Sequence, residues 1–202
     1  MIPRVRRLAA GEIDTAADVL GRAFHDDPLT CYRFPDPEQR AAVLGAHLRP
    51  GVWLAQTLGE VWCTDDLSAI ACWRPPGASR PTPAQRADAG VDEALAFADP
   101  AANATLDKAD AFLAARAGAL QVPPDHWYLT MVGVDPRRRR QGLGTAALRP
   151  VLERAEADGE PVYLETFGPQ NPAFYLRCGC PCIEHGTEPN SGFPYWLLLR
   201  PG

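Results

Sequence analysis

The spacing of apolar residues changes period along the first quarter of the chain. Ile2 to Leu8 reads as a short strand, and Ile13, Ala16, Ala17, Leu20, Ala23 and Phe24 then recur at helical spacing. Asp26-Asp27-Pro28 is read as the end of that helix. Asp36-Pro37, a capping side chain followed by proline at a first helical position, predicts a second helix to about Leu48. Two helices are therefore expected before the main sheet.

Glu60 to Thr64 and Ala69 to Trp73 are short strand-like runs, and Asp65-Asp66-Leu67-Ser68 between them predicts an antiparallel hairpin. Arg74-Pro75-Pro76-Gly77 stops the second run. From there to Pro124 the chain is Ala-rich, with apolar marks at Val91, Leu95, Leu106, Phe112, Leu113 and Leu120, so one or two helices are expected. Trp127 to Val134 predicts a strand, Thr145 to Ala157 a helix, and Val162 to Thr166 another strand, the order of a right-handed parallel crossover. A short helix over Asn171 to Arg177 and a closing strand over Tyr195 to Leu199 complete a mixed sheet with helices on both faces.

Composition narrows the class. The 202 residues suffice for one sizeable core, and a single domain over 1–202 is expected. The net charge of -5 argues against a nucleic-acid partner, which needs a positive surface, and suits a small cationic substrate. No apolar run reaches the roughly 20 residues that cross a bilayer, and Met1 to Leu8 carries three Arg and no signal-like stretch. A cytoplasmic protein without a membrane partner is expected. Cys178, Cys180 and Cys182 alternate and would share one face of a strand. They lack the paired Cys-x-x-Cys spacing of zinc sites, so reduced, packed thiols and no metal are expected.

The stretch with most chemistry runs from Val132 through Asp135-Pro136, four consecutive Arg at 137–140, Gln141, Gly142, Leu143 and Gly144 to Thr145. It joins the end of a strand to the start of a helix through a glycine loop. The first N–H groups of a helix have no internal partner and carry the positive end of its dipole, so a phosphate fits there. A dinucleotide fold is the competitor, but its Gly-x-Gly-x-x-Gly follows the first strand, whereas this Arg-x-x-Gly-x-Gly comes two-thirds of the way along.

Arg139-x-x-Gly142-x-Gly144 after Val132-Gly133-Val134 resembles the acyl-CoA signature of the GNAT superfamily of N-acyltransferases. Leu164-Glu165-Thr166, then Asn171-Pro172-Ala173-Phe174-Tyr175 and Gly179, is similar to its second signature. The resemblance implies an α/β (α+β) fold, with a mixed, mostly antiparallel sheet, a central splayed parallel strand pair, and acetyl-CoA as co-substrate. Within the superfamily the chain is similar to the puromycin N-acetyltransferase family over Val61-Trp62 to Trp73, Val132 to Leu148 and Leu164 to Gly179. It departs at Gly179-Cys180, where that family has Gly-Phe, and after Ile183.

Roles follow from the resemblance. Val132 and Val134 would offer backbone groups to the pantetheine as to an added strand, with Gly133 permitting the bulge that splays the strands. Arg139, Arg140, Gln141, Gly142, Leu143, Gly144 and Thr145 would surround the phosphates. Asn171, at a helix start, would bond the pantetheine beside Phe174. Tyr175 would be the acid that protonates the departing thiolate, since a phenol keeps its proton at neutral pH.

The base is left open. Alternation places His126, Tyr128 and Thr130 on one strand face, which makes His126 one candidate and Glu165, on the neighbouring strand, the other. Phe24, Asp27, Tyr32 and Tyr128 are expected to contact the acceptor. The activity implied is acetyl transfer from acetyl-CoA to an amine of a small molecule, by a monomer or homodimer. The alternatives are a protein N-terminal or lysine acetyltransferase and a non-catalytic acyl-CoA-binding regulator.

Overall fold

The computed structural model describes residues 3–202. Seven strands form one sheet: β1 (Val5–Arg7), β2 (Glu60–Thr64), β3 (Ala69–Arg74), β4 (Trp127–Val134), β5 (Val162–Thr166), β6 (Cys182–Thr187) and β7 (Pro194–Arg200). Their spatial order is β1-β2-β3-β4-β5-β7-β6, antiparallel except for the parallel β4–β5 pair. This is the mixed, mostly antiparallel sheet that was expected. The Met1 and Ile2 end of the first predicted strand lies outside the described residues.

Eight α-helices accompany the sheet: α1 (Ile13–Phe24), α2 (Pro28–Arg33), α3 (Pro37–Leu58), α4 (Pro83–Ala89), α5 (Val91–Leu95), α6 (Pro100–Ala119), α7 (Leu143–Asp158) and α8 (Asn171–Arg177). Three helices, not two, stand before β2. Asp27 does not end a helix but begins one: its carboxylate accepts from the Leu29 N–H at 3.0 Å with Pro28 at the first position. The middle segment likewise holds three helices, α4 to α6, rather than one or two. α3 runs ten residues past the predicted Leu48, through Pro50, because its last turns bury Val52 and Ala55 against Val61, Ile70 and Cys72. That burial offsets the hydrogen bond that an interior proline removes.

β6 was not predicted, since Cys182-Ile183-Glu184-His185-Gly186-Thr187 is an edge strand with little apolar signal. The three alternating cysteines do not share a strand. Cys178 caps the end of α8, Cys180 is buried in the following loop, and Cys182 is exposed at the start of β6. Among the described residues no group of three or more His, Cys, Asp or Glu is arranged to hold a metal ion. None of the helices is long and apolar enough to cross a membrane.

Both sheet faces are packed. On one, α7 lays Leu148, Val151 and Ala155 over Ala71, Trp73, Trp127, Leu129, Val162 and Leu164. On the other, α1 and α3 cover β2 and β3, while Leu113 of α6 joins Tyr163, Phe167, Tyr195 and Leu197. β5 obeys the two-residue alternation: Val162 and Leu164 face α7, so Tyr163 and Glu165 face the α6 side.

β4 departs from that alternation once. Its pairing with β3 jumps from Cys72↔Met131 to Trp73↔Leu129, leaving Thr130 as an extra residue. Before the bulge Trp127 and Leu129 face α7; after it Val132 and Val134 do, while Met131 packs toward α1 and α3. The bulge therefore sits at Thr130 and not at Gly133. Gly133 has another reason to be glycine. A Cβ there would meet Leu20 Cδ2 at 2.7 Å and Ala23 Cβ at 2.8 Å, so its lack of a side chain lets α1 lie directly on β4.

Gly133→Ala should therefore overpack this contact and lower stability by about 1–3 kcal/mol. Urea unfolding should show a lower midpoint at unchanged slope, and an unshifted midpoint would contradict the close approach of α1.

Candidate active site

β4 and β5 pair at only two positions, Trp127↔Val162 and Tyr128↔Tyr163, and then part. From Leu129 onward this edge of β4 has no β5 partner, so backbone groups stand free along a gap in the middle of the sheet. A cleft of about 1120 Å³ follows the gap. It is lined by Val132, Gly133 and Val134 of β4, Glu165 and Thr166 of β5, Phe24, Asp27 and Arg33 beside α2, Asp110 of α6, the start of α7, and Asn171, Phe174 and Tyr175 of α8.

One end of the cleft is built for an anion. Gly142 caps α7 in the left-handed region, φ 75°, and the first helical bond runs from Ala146 N–H to the Gly142 carbonyl at 3.0 Å. The N–H groups of Leu143, Gly144 and Thr145 therefore have no helical partner, and all three residues line the cleft. Gly142 is required by its backbone angle, since no atom lies within 4 Å of where a Cβ would be. Gly144 is required by packing instead: a Cβ there would meet Phe174 Cζ and Val134 Cγ2, both at 3.3 Å.

The four arginines divide into two pairs. Arg137 is bound to the buried Asp135 at 2.7 Å, which Arg22 also approaches, and Arg138 to Asp66 at 2.9 Å. Neither lines the cleft. Arg139 and Arg140 do. Arg139 spends one amino group on the Ala23 carbonyl at the end of α1, at 2.8 Å, whereas Arg140, itself left-handed at φ 64°, makes no side-chain bond among the described residues. Gln141 accepts from Arg138 at 3.2 Å and stays outside the cleft.

Asn171 is the first residue of α8 rather than its cap, which is Gln170. Its amide donates to Thr166 Oγ1 at 2.8 Å, fixing the side chain at the cleft wall. Tyr175 is buried against Phe174, its ring centroid 5.1 Å away, and lines the cleft. Its hydroxyl has no hydrogen bond among the described residues. Burial, with smaller contributions from Cys178, Cys180 and Asp27, pushes its pKa up, so the phenol holds its proton.

The other end is acidic and aromatic. Tyr163 donates to Glu165 Oε1 at 2.9 Å and Tyr128 to Oε2 at 3.3 Å, the two phenol rings being stacked at 6.0 Å. Burial raises the Glu165 pKa, and the two hydrogen bonds restrain the rise by favouring the carboxylate. Burial also raises Asp27. Asp110 is open to the cleft's solvent, yet enough protein surrounds it to raise its pKa as well. Arg33 stands among these carboxylates, its guanidinium donating to His47 Nε2 at 2.9 Å. His47 must donate through Nδ1 to the Ala94 carbonyl, at 2.9 Å, so it is the neutral Nδ1–H tautomer.

Two expected participants stand apart. His126 is bonded to the Pro123 carbonyl at 2.6 Å and packed edge-on against Tyr163, outside the cleft lining. Tyr32 faces Phe193, edge to face at 5.6 Å, and is also outside it. Phe24, Asp27 and Tyr128 do line it. Sequence reasoning missed Asp110 and His47. Asp110 lies on a helix with no clean apolar stripe to orient it, whereas His47 falls within a helix whose register the sequence did give.

A sheet split behind its first parallel pairs, with an anion cradle at one end of the gap and a carboxylate between phenols at the other, suits an enzyme that carries a group from a phosphate-bearing donor to an amine. The chain belongs to the acetyltransferase (GNAT) family, whose model matches residues 65–180. The family's co-substrate is acetyl-CoA.

Solved structures share the fold. The chain is 20% identical to the histone acetyltransferase HPA2 and related acetyltransferase of Corynebacterium glutamicum, covering 100% of this chain and 97% of that one at a TM-score of 0.64. It is 19% identical to a polyamine N-acetyltransferase of Drosophila melanogaster that forms N-acetylagmatine, covering 98% and 99% at a TM-score of 0.63. A curated relative, a probable serine/threonine-protein kinase of Dictyostelium discoideum, is 25% identical over 195 residues. That match covers 86% of this chain, which spans about a fifth (20%) of the kinase's length.

Tyr163→Phe deletes the shorter of the two hydrogen bonds that favour ionised Glu165. The Glu165 pKa should then rise further, read from its carboxyl carbon by NMR titration. An unchanged titration would mean that this bond does not hold the carboxylate.

Proposed function

We propose that this protein moves the acetyl group of acetyl-CoA to the primary amine of a small molecule by direct attack. The observation that carries the reading is the cleft itself, which joins the anion cradle at α7 to the Glu165 carboxylate through the gap between β4 and β5. In this reading the N–H groups of residues 143–145 and the Arg139 and Arg140 side chains hold the donor's phosphates. The free edge of Val132 to Val134 pairs with the pantetheine, Asn171 offers its carbonyl oxygen to it, and Phe174 bounds it. Gln141, away from the cleft, takes no part.

The acceptor lies between Phe24, Asp27 and Tyr128. Glu165 takes the ammonium proton, directly or through water, in preference to His126. When the intermediate collapses, the Tyr175 hydroxyl gives its proton to the thiolate. Bound acetyl-CoA supplies the activated thioester; the chain supplies orientation and both proton transfers.

The sequence resemblance suggests puromycin or a related aminonucleoside as the acceptor, a role in antibiotic resistance, and action in the cytoplasm by one domain as monomer or homodimer. The aromatic lining is compatible with a ring-bearing amine. A panel of puromycin, agmatine, spermidine and 2-phenylethylamine with acetyl-CoA, followed by thiol release, tests the reading. Release with at least one amine supports it, and with puromycin supports the narrower assignment. A lysine-bearing peptide with a free N-terminus is assayed alongside, and release with it alone would favour a protein acetyltransferase. Acetyl-CoA binding without any release would favour a regulator.

Gly142→Val places a β-branched residue at φ 75°, and calorimetry should show acetyl-CoA affinity lost while the fold persists by circular dichroism. Unaltered affinity would remove this loop from the donor site. Tyr175→Phe keeps the ring and deletes the proton, so kcat should fall about 10²- to 10⁴-fold with acetyl-CoA affinity nearly unchanged. Turnover within about threefold of the parent, with chemistry rate-limiting, would exclude Tyr175 as the acid.

A further inference from the structure

The charged groups at the acceptor end differ in what they are already bound to. Asp27 caps α2 through the Leu29 N–H. Glu165 accepts from two phenols, and Arg33 is tied to His47. Asp110, which lines the same cleft from α6, has no hydrogen bond and no ion pair to its side chain among the described residues. Arg33 does not quench it, since no salt bridge of 4.0 Å or less joins them.

Asp110 is nevertheless held in place. α6 is fastened over the sheet by Leu113 in the core and by Arg116, whose Nε donates to Glu184 of β6 at 2.8 Å. Tyr195 of β7 donates to the same carboxylate at 2.8 Å. The helix that presents Asp110 to the cleft is thus anchored less than two turns further along.

We propose that Asp110 is a specificity-determining residue that holds the acceptor in its ammonium form opposite Glu165, before the proton is removed. This rests on the amine-acceptor reading above. Two carboxylates lining one cleft each disfavour the other's charge, and an ammonium between them relieves both. Arg74, over the Tyr128 ring at 4.8 Å, acts on Glu165 and leaves Asp110 the less compensated of the two. The groups that act on Asp110 are Arg33 from α2, Asp107 on its own helix, Glu165 from β5 and Tyr128 from β4, with neutral His47 of α3 behind Arg33. Only Arg33 among them is a cation. It supports the ionised Asp110 without occupying it.

The segment from α4 to α6 then has a chemical purpose beyond packing on the sheet: α6 brings in the carboxylate that reads charge on the acceptor.

The test runs the four-amine panel on the parent, Asp110→Asn and Asp110→Glu. For each amine the parent acetylates, Asp110→Asn should raise KM about 10- to 100-fold, with kcat at saturation within about threefold, the size expected for losing a charge-assisted contact. Asp110→Glu should recover most of the loss. For 2-phenylethylamine or spermidine, whose amines have pKa values near that of lysine, about 10, the parent's KM in total amine should stay level from about pH 7 to about pH 9. In Asp110→Asn it should fall with rising pH as the neutral amine becomes the form bound.

A merely structural role would not change that profile. Parent-like KM in Asp110→Asn, or a raised KM with the parent's level profile, overturns the proposal while leaving the enzyme an amine acetyltransferase. No thiol release from the parent with any of the four amines overturns the acceptor reading itself, and this inference with it.

Discussion

The site depends on a single constraint in the sheet: β4 and β5 are parallel neighbours that stay paired for two residues only. The extra residue in β4 decides which side chains border the gap. By inserting Thr130, the strand rotates its side-chain pattern by half a period, so that Val132 and Val134 continue the α7 face begun by Trp127 and Leu129. Tyr128, before the bulge, still faces α6 with Tyr163 and Glu165. One strand thus serves both ends of the cleft, the free edge beyond the bulge and the phenol-lined wall before it.

Charge is sorted along the same gap. Arg139, Arg140 and the α7 N-terminus lie at one end, and Asp27, Asp110 and Glu165, with the cation Arg33 among them, at the other. The sorting works because Arg137 and Arg138 are withdrawn from the cleft by Asp135 and Asp66, which also fasten the loop to the β2–β3 turn and to α1. Burial at the acidic end weakens the hold of Glu165 and Asp27 on their charge.

Much of this was legible in the sequence, and the failures have physical causes. β4, β5 and α8 were placed at their observed bounds because apolar periodicity and flanking breakers agree there. The Asp36-Pro37 start is legible, yet the same signature at Asp27-Pro28 reads as a stop because it follows a helix directly. Thr82-Pro83, Asp99-Pro100 and Asp135-Pro136 repeat it, so five of the chain's 21 prolines open a helix rather than turn a corner.

Gly133 was given the bulge because glycine in a strand suggests one, but packing against Leu20 and Ala23 set that residue, and the bulge fell on Thr130, which carries no signal. The anion cradle is readable as a local motif, and Phe24, Asp27, Tyr128 and Glu165 of the opposite wall are legible too. Asp110 and His47 are not, because they reach that wall through tertiary packing of α6 and α3.

Opening a sheet at its centre rather than at its rim has a further result. An unpaired strand edge on a protein's outside is a template for other chains and a risk for self-association. Here the two unpaired edges face each other, with α1 on one side and α7 and α8 on the other. The fold therefore keeps a length of free backbone ready for an extended ligand and, at the same time, out of reach of a neighbouring copy's strands.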